Sequence, residues 1–362
     1  MKLTPGGCRQ RQQRLAAVLQ ERGLVGALLS RREHVLYFTG FLHPRHTAAG
    51  LCLSARGHTV LVGAGVPAGT AVDDVVPYEA GYHATLHSRQ HRAVAEKLAT
   101  VVPRRGRLGV DLDGGIAAVA ALARSRALDL SDELLRLRKR KLPDEVDAIR
   151  AAIGITDVMY SAAKAAAHPG ADEVEVLARI RCEATRAAGE DLEHFGNDFR
   201  ANAAGGPARR RRMQAGELYI LDAGPSLHGY FADNCRTFAV DRSPTRAQVC
   251  AWQLLDSVFA AVEGAARPGM RAVELYRLVD GLVRAGGHPG LVHHLGHGIG
   301  LAPHESPQLN PEYDAVLEAG DVFTVEPGVY AEDLQAGVRL EEDYLLTGTG
   351  VERLTHFPRG LV

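Results

Sequence analysis

The sequence predicts an α/β N-terminal domain followed by an α+β domain with two related halves. Three observations favour this fold: alternating strand-like and helix-like stretches in the first third, a repeated helix boundary later on, and acidic residues at the ends of apolar strands. The chain has 362 residues, of which 46% are hydrophobic, enough to bury the cores of two domains. We place the domains at residues 1–131 and 132–362.

The first third combines two helix-like segments, at residues 9–22 and 88–101, with apolar strand-like runs. These runs read GALLS, HVLYFTG, GLCLSARGHTVLVG and RLGVD. Their alternation indicates a small α/β domain. The basic run RLRKRKLPDE (136–145) then reads as a solvated linker, and a long helix follows in which Ile149, Ile153 and Tyr160 recur at helical spacing.

A repeat links the halves of the second domain. Residues 166–180 (AAHPGADEVEVLARI) and 265–279 (AARPGMRAVELYRLV) share Ala-Ala, Pro-Gly and Val-Glu 99 positions apart. Each copy is predicted to end one helix and begin another. After each copy comes a predicted strand pair: ELYILDAG with YFADNCRTFAV, and DVFTVEPGVY with GVRLEEDYLL. The alternative is a chance match, because Pro-Gly between helices is common.

Composition narrows the functional classes. The formal net charge of -1 gives no reason to expect nucleic acid or a charged membrane as the main partner. Five cysteines without a CxxC pair favour a reducing, cytoplasmic setting over a disulfide framework. The start of the chain lacks the apolar run of a secretory signal, and no later run is long enough to span a bilayer.

Four carboxylates stand at the ends of the predicted strands: Asp222, Asp233, Glu326 and Glu341. If both strand pairs form, the two acids of each pair face one another, and like charges at that distance cannot all stay ionised without a cation. A single acidic residue at the end of a strand is more often a turn former or an ion-pair partner than a metal ligand. Oxygen ligands with one imidazole favour Mn, Co or Zn, and four carboxylates are enough for two ions about 3.5–4 Å apart.

The candidate imidazole lies in HHLGHGIGLAPHESP (293–307). This segment lacks HExxH spacing and is rich in helix breakers. His297 stands between glycines, which allow close approach of the backbone.

The stretches ILDAGPSLHGYFADNCRTF, LGHGIGLAPHESP, FTVEPGVY and GVRLEEDYLL resemble, in order, the metal-site motifs of the pita-bread metallopeptidases. This family (M24) includes Xaa-Pro dipeptidase (prolidase), aminopeptidase P and methionine aminopeptidase. HVLYFTGF resembles the creatinase-like N-terminal domain of the prolidase and aminopeptidase P branch. The resemblance implies a pita-bread (creatinase/aminopeptidase) catalytic domain with an internal pseudo-twofold repeat.

The same resemblance implies roles for individual residues. Two metal ions would be bound by Asp222, Asp233, His297, Glu326 and Glu341, with Asp233 and Glu341 bridging. Glu326 would also accept a proton from the attacking water. His293 and His304 would contact substrate and assist the tetrahedral intermediate, and Arg339 would hold substrate or carboxylates. His294 has no counterpart and is expected to be structural or solvent-facing.

The resemblance therefore implies hydrolysis of the peptide bond after an N-terminal residue, with Xaa-Pro as the expected substrate and a homodimer as the expected assembly. The short N-terminal domain slightly favours a dipeptidase over an aminopeptidase P. Alternatives are a methionine aminopeptidase-like enzyme and a non-catalytic peptide-binding module. A creatine amidinohydrolase is disfavoured, because creatinase works without this set of metal ligands.

One position departs from the family pattern. Prolidases and aminopeptidases P commonly carry a histidine about seventeen residues before the first metal aspartate, where this chain has Gly205. Gly206 and four arginines, Arg209 to Arg212, follow. Either this loop is a flexible turn with a solvated basic edge, or one of these arginines, or His194, binds the substrate carboxylate or backbone.

Overall fold

The computed structural model describes residues 2–313 and 315–362. The chain divides into two compact units, Met1–Arg138 and Lys139–Val362. The domain division after residue 131 stays a prediction. Within the described residues, no helix is both long enough and apolar enough to cross a membrane.

The first unit is built around a mixed sheet in the order β4-β3-β2-β1-β7-β8, in which β1 is antiparallel to β2 and parallel to β7. Its strands are β1 (Gly26–Leu29), β2 (Ala49–Ser54), β3 (Thr59–Gly63), β4 (Asp74–Pro77), β7 (Leu108–Val110) and β8 (Ala127–Asp129), with β5 (Gly81–Tyr82) and β6 (Thr85–Leu86) as a separate hairpin. Its helices are α1 (Pro5–Glu21), α2 (Arg32–Thr39), α3 (Gln90–Leu98), α4 (Ala117–Ala120) and α5 (Ser131–Lys139), with a 3-10 turn at Arg124–Arg126.

The run HVLYFTG is not a strand, so that expectation was wrong. It lies in α2, where residues 34–39 are all buried. A fully buried helix has no polar face, so its sequence shows no helical periodicity and looks like a buried strand. Gly40, with φ of 76°, ends the helix in the left-handed conformation that glycine adopts without strain.

The second unit contains two helix pairs and two principal sheets. Its helices are α6 (Pro143–Ala166), α7 (Glu173–Ala188), α8 (Arg246–Ala265) and α9 (Ala272–Ala285). The first sheet consists of β9 (Phe195–Ala201), β10 (Leu218–Leu227), β11 (Tyr230–Phe231) and β12 (Asn234–Ala239). The second consists of β13 (Gly296–Gly298), β14 (Glu305–Leu309), β15 (Val322–Val325), β18 (Glu342–Leu346) and β19 (Val351–Arg353). A small ladder joins β16 (Gly328–Val329) to β17 (Val338–Arg339), with a 3-10 turn at Glu332–Leu334 between them.

The internal repeat is confirmed by these boundaries. Helices α6 and α8 end 99 positions apart, at Ala166 and Ala265, and α7 and α9 begin at the same offset. Gly170 and Gly269 both have φ near 90° in the connecting turns, as the repeated Pro-Gly requires.

Both predicted strand pairs also form. β10 pairs with β12, and β15 pairs with β18, each antiparallel. All ten residues of β10 are buried, so this strand lies at the centre of its sheet with neighbours on both sides. Residues His228 and Gly229, both with positive φ, make the turn after β10.

The basic run at 136–145 is not a solvated linker. Arg138 and Lys141 are 2% and 7% exposed, and Lys141 Nζ lies 3.3 Å from Glu305 Oε2. Lys139 Nζ donates to the Val316 carbonyl over 2.6 Å. The partners of these cations are distant in sequence, so the run alone gave no sign of its burial.

The core beneath the second sheet gives a stability prediction. Val279 of α9 is fully buried in this core, whereas Val292 is 70% exposed. We expect Val279→Ala to lower the free energy of unfolding by about 2 kcal/mol, because it removes two packed methyl groups and leaves a cavity. The matched Val292→Ala change should stay within about 0.5 kcal/mol of the unaltered chain in urea unfolding. Equal effects of both changes would contradict this core assignment.

Candidate metal centre

The five residues predicted to be ligands converge at one buried place. Ligand atoms lie within 4.8 Å of one another in the group Asp222, Asp233 and Glu341, and again in the group His297, Glu326 and Glu341. A third such group joins Asp233 and His297 to His304. We call Asp222, Asp233, His297, Glu326 and Glu341 the ligand cluster. Each of its members is at most 8% exposed.

Strand geometry brings the acids together. Asp222 lies in β10 opposite Cys235 of β12, and Asp233 stands just before β12. Glu326 follows β15, and Glu341 precedes β18, where Val325 and Glu342 are paired. Each half of the second unit therefore presents two carboxylates from an antiparallel strand pair.

A buried arginine joins the two halves beside the cluster. Arg236 Nη1 donates to the Glu341 carbonyl over 2.6 Å, and Arg236 Nη2 lies 3.1 Å from Glu342 Oε2. The Glu341 backbone N–H donates to the Cys235 carbonyl over 3.0 Å. Sequence reasoning missed Arg236, because its partners are about a hundred residues away and no motif distinguishes it.

His297 directs one ring nitrogen towards two carboxylates of the ligand cluster. Its Nδ1 lies 3.1 Å from the Gly298 carbonyl, and its Nε2 lies 3.5 Å from Glu326 Oε1 and 3.7 Å from Asp233 Oδ2. Because Nδ1 donates to the carbonyl, the lone pair of Nε2 faces the carboxylates. Burial lowers the pKa of His297 to about 4, which keeps the ring neutral at neutral pH.

The glycines beside His297 are required by packing. A Cβ on Gly296 would lie 2.0 Å from the Thr324 carbonyl oxygen, and one on Gly298 would lie 2.2 Å from the Ser306 carbonyl oxygen. Glycine therefore permits the close approach of strands β14 and β15 to β13.

The electrostatics of the cluster fit a divalent cation. Burial, with neighbouring carboxylates, raises the pKa values of Asp233 and Glu341 well above the ordinary range, and burial raises the pKa of Asp222 to about 6. Within the described residues, Asp222 Oδ1 and Glu341 Oε2 are buried without a hydrogen-bond partner. Such a set of buried oxygens and one neutral imidazole suits a hard or borderline metal ion.

The other histidines of the segment surround the cluster. The His304 ring stacks on His297 with centroids 3.7 Å apart. His293 Nε2 lies 2.9 Å from the Tyr330 hydroxyl, and its Nδ1 lies 2.7 Å from the His294 carbonyl.

His294, expected to be structural or solvent-facing, is half-buried and contacts the ligand cluster. Its Nε2 lies 2.9 Å from Glu326 Oε1. Although burial raises the pKa of Glu326, the neighbouring His294 and His297 bring it down to about 2. Glu326 is therefore the carboxylate of the cluster that most readily stays ionised.

Arg339 contacts the cluster from β17. Its Nη2 lies 2.8 Å from Asp222 Oδ2 and also pairs with Asp198, and its Nη1 donates to the Tyr330 hydroxyl over 3.2 Å. Sequence reasoning missed both Asp198 and Tyr330. Tyr330 ends the FTVEPGVY motif and could have been considered, whereas no pattern pointed to Asp198.

Acidic side chains bind two arginines of the loop at residues 209–212. Arg209 Nη2 lies 2.7 Å from Glu173 Oε1, and Arg211 Nη1 lies 2.9 Å from Glu217 Oε2. Both glutamates are buried, so these two arginines compensate buried charge. His194 Nδ1 lies 2.6 Å from the Gly224 carbonyl. Substrate binding by one of these groups stays a prediction.

Comparisons with known proteins agree with this geometry. The model described as metallopeptidase family M24 matches residues 147–348, and the model of the Creatinase/Prolidase N-terminal domain matches residues 11–139. The putative dipeptidase YkvY of Bacillus subtilis is 28% identical over 97% of this chain and 99% of its own length. The Xaa-Pro dipeptidase of Pyrococcus furiosus is 33% identical over 64% of this chain and 68% of its own length. In fold, the chain is similar to the structure of the Xaa-Pro dipeptidase from Bacillus anthracis, with a TM-score of 0.81 at 23% identity over 98% of this chain and 99% of that one.

Stabilisation by a divalent ion should depend on pH. Burial raises the pKa of Asp222 to about 6 and raises the pKa values of Asp233 and Glu341 well above their ordinary range, so at low pH these carboxyls hold protons that a cation must displace. His297, with a pKa of about 4, is already neutral over most of this range. We expect the melting-temperature gain from Mn²⁺ over chelator-treated protein to grow from about pH 4 through about pH 6. A gain that does not change with pH would contradict the assignment.

Replacing His297 should release the metal. We expect His297→Ala to weaken Mn²⁺ binding by at least about 10-fold, because one of the five expected ligands is lost. Metal content after dialysis measures this loss. The exposed His168 gives the control, His168→Ala, which should retain metal. Full retention by His297→Ala would rule out its role as a ligand.

Proposed function

The chain belongs to metallopeptidase family M24, and we propose that it hydrolyses the peptide bond after an N-terminal residue that is followed by proline. The observation that carries the proposal is the convergence of all five cluster side chains. They form overlapping groups, and within each group the ligand atoms lie within 4.8 Å of one another. The names of the relatives support the substrate class: one is an Xaa-Pro dipeptidase, and the putative dipeptidase matches along nearly its whole length.

The ligand cluster would hold two divalent ions, Mn, Co or Zn. Asp233 and Glu341 would bridge them, as the family resemblance implies. When bound, the ions would polarise the peptide carbonyl and lower the pKa of the attacking water. The residues of the chain would supply the remaining chemistry.

Glu326 would accept the proton of the attacking water. It is held by contacts at 2.9 Å from His294 and 3.5 Å from His297, and these histidines lower its pKa to about 2, so that it is ionised at neutral pH. A carboxylate that stays ionised and lies within the cluster can take up a proton as the water attacks.

His293 and His304 would act on the substrate. Burial lowers the pKa values of both rings, so each is neutral at neutral pH, with one ring nitrogen that carries a proton and one that can accept a proton. One ring would donate a hydrogen bond to the developing oxyanion, and the other would pass to the leaving nitrogen the proton that Glu326 takes from the attacking water. Arg339 would keep Asp222 and the substrate in place.

A dipeptidase is favoured over an aminopeptidase P, because the N-terminal domain is short and the two relatives named above are a putative dipeptidase and an Xaa-Pro dipeptidase. The free state of all five cysteines supports a cytoplasmic setting. The resemblance to the family supports a homodimer and a chain of two domains, for which we propose the division into residues 1–131 and 132–362.

Substrate length separates the candidate activities. We expect Mn²⁺-loaded protein to release amino acid from Xaa-Pro dipeptides, because a dipeptidase binds both termini of its substrate. Release is measured with Xaa-Pro dipeptides, Xaa-Pro-Yaa peptides and peptides that begin with Met, each with Mn, Co or Zn. Glu326→Gln, which keeps the shape of the side chain, serves as the control and should lower kcat by at least about 100-fold.

Other results would identify the alternatives. Turnover of tripeptides but not dipeptides would assign an aminopeptidase P, and turnover of Met peptides alone would assign a methionine aminopeptidase. Absence of turnover with every metal would favour a peptide-binding module.

A further inference from the structure

We propose that Asp198 is a positioning residue of the metal centre: it holds Arg339 so that Arg339 fixes the orientation of Asp222. This inference rests on the proposed function, in which Asp222 is a metal ligand. Asp198 belongs to none of the motifs that carry the family resemblance.

The strand register creates the need for such a contact. Asp198 of β9 lies directly opposite Asp222 of β10, and directly opposed like charges destabilise a strand pair. Arg339 resolves this conflict, because its Nη2 lies 2.8 Å from Asp222 Oδ2 and also pairs with Asp198 Oδ2. The side chains of Asp198 and Arg339 are only 18% and 8% exposed. One guanidinium nitrogen thus serves two carboxylates in a place with little solvent.

The second carboxylate oxygen of Asp198 fixes the loop beside it. The Gly206 backbone N–H donates to Asp198 Oδ1 over 2.5 Å, and Arg339 Nη1 donates to the Ala204 carbonyl over 3.3 Å. Asp198 and Arg339 therefore bind each other and both ends of the segment 204–206. The carboxylate cannot rotate freely, since both of its oxygens are engaged.

This arrangement explains the departure at Gly205. A Cβ on Gly205 would lie 2.5 Å from Asp198 Oδ2 and 2.8 Å from Asp198 Cγ. A histidine at this position would have to displace Asp198 and separate it from Arg339. The chain therefore places a carboxylate on β9 in the space next to the loop, and the loop residue must be glycine.

Loss of the Asp198 charge should act on metal binding through Arg339. Without its second carboxylate, Arg339 is free to bind Asp222 more completely and compete with the metal for its oxygens. Changes to residues that orient a ligand typically weaken metal affinity by about 10- to 100-fold. We expect a loss of this size for Asp198→Asn, which keeps the side-chain shape and an acceptor for the Gly206 N–H.

The test is a calorimetric titration of the chelator-stripped full chain with Mn²⁺. Asp191→Asn, at an exposed acid seven residues earlier, is the matched control and should bind like the unaltered chain. Melting temperatures of the metal-free proteins show whether each variant is folded. If Asp198 acts through Arg339, Asp198→Asn should add less than about 3-fold to the loss already caused by Arg339→Gln, because residues that act on one another are not additive.

The outcomes separate this inference from the proposed function. An unaltered chain that binds none of Mn²⁺, Co²⁺ and Zn²⁺ in the same titration would overturn both. An unaltered chain that binds Mn²⁺, with an Asp198→Asn variant of equal affinity, would overturn the inference alone. Full additivity with Arg339→Gln would also overturn it, because Asp198 would then act by another route.

Gly205→Ala offers a second variant that leaves Asp198 and Arg339 in the chain. The added methyl group presses on the Asp198 carboxylate, and we expect Mn²⁺ affinity to fall several-fold. Gly264→Ala, at a helical glycine with open space around it, should leave the affinity unchanged. Equal Mn²⁺ affinity for both alanine variants would contradict the packing argument.

Discussion

The second unit depends on the burial of several carboxylates in one small volume. Asp222, Asp233 and Glu341 are all nearly inaccessible to solvent and share one group of ligand atoms. Such a group is unfavourable unless cations or protons offset its charge. The surroundings fit that requirement, because the side chain of Arg339 contacts Asp222 and Arg236 donates to the backbone of Glu341.

The two halves of the repeat contribute unequally. The first half provides two aspartates, and the second provides two glutamates together with the histidine segment inserted between its helix pair and its strand pair. Symmetry therefore accounts for the four carboxylates, whereas the imidazole chemistry of His293, His297 and His304 belongs to the second half alone. Each half also supplies one arginine that contacts an acidic residue of the other half. Arg236 of the first half donates to the Glu341 carbonyl, and Arg339 of the second half contacts Asp222.

Much of this arrangement was predictable from sequence, because local patterns encode it. The repeat of Pro-Gly turns, the strand pairs and the convergence of acids all follow from short motifs at fixed offsets. The buried helix α2 was mistaken for a strand, since a helix covered on every side has no polar face to reveal its period. The burial of Arg138 and Lys141 was missed for a different reason, namely that their partners lie far away in sequence. Asp198 was missed because its importance comes from strand register, which the residues of β9 do not specify by themselves.

The division of ligands between the halves has a consequence for assembly. Neither half alone holds the complete ligand cluster: Asp222 and Asp233 come from one side of the α8 helix in the chain, and His297, Glu326 and Glu341 come from the other. The centre is thus an interface between two structural modules, comparable to a site shared by two subunits. The five side chains can therefore meet only when both halves are folded and packed against each other.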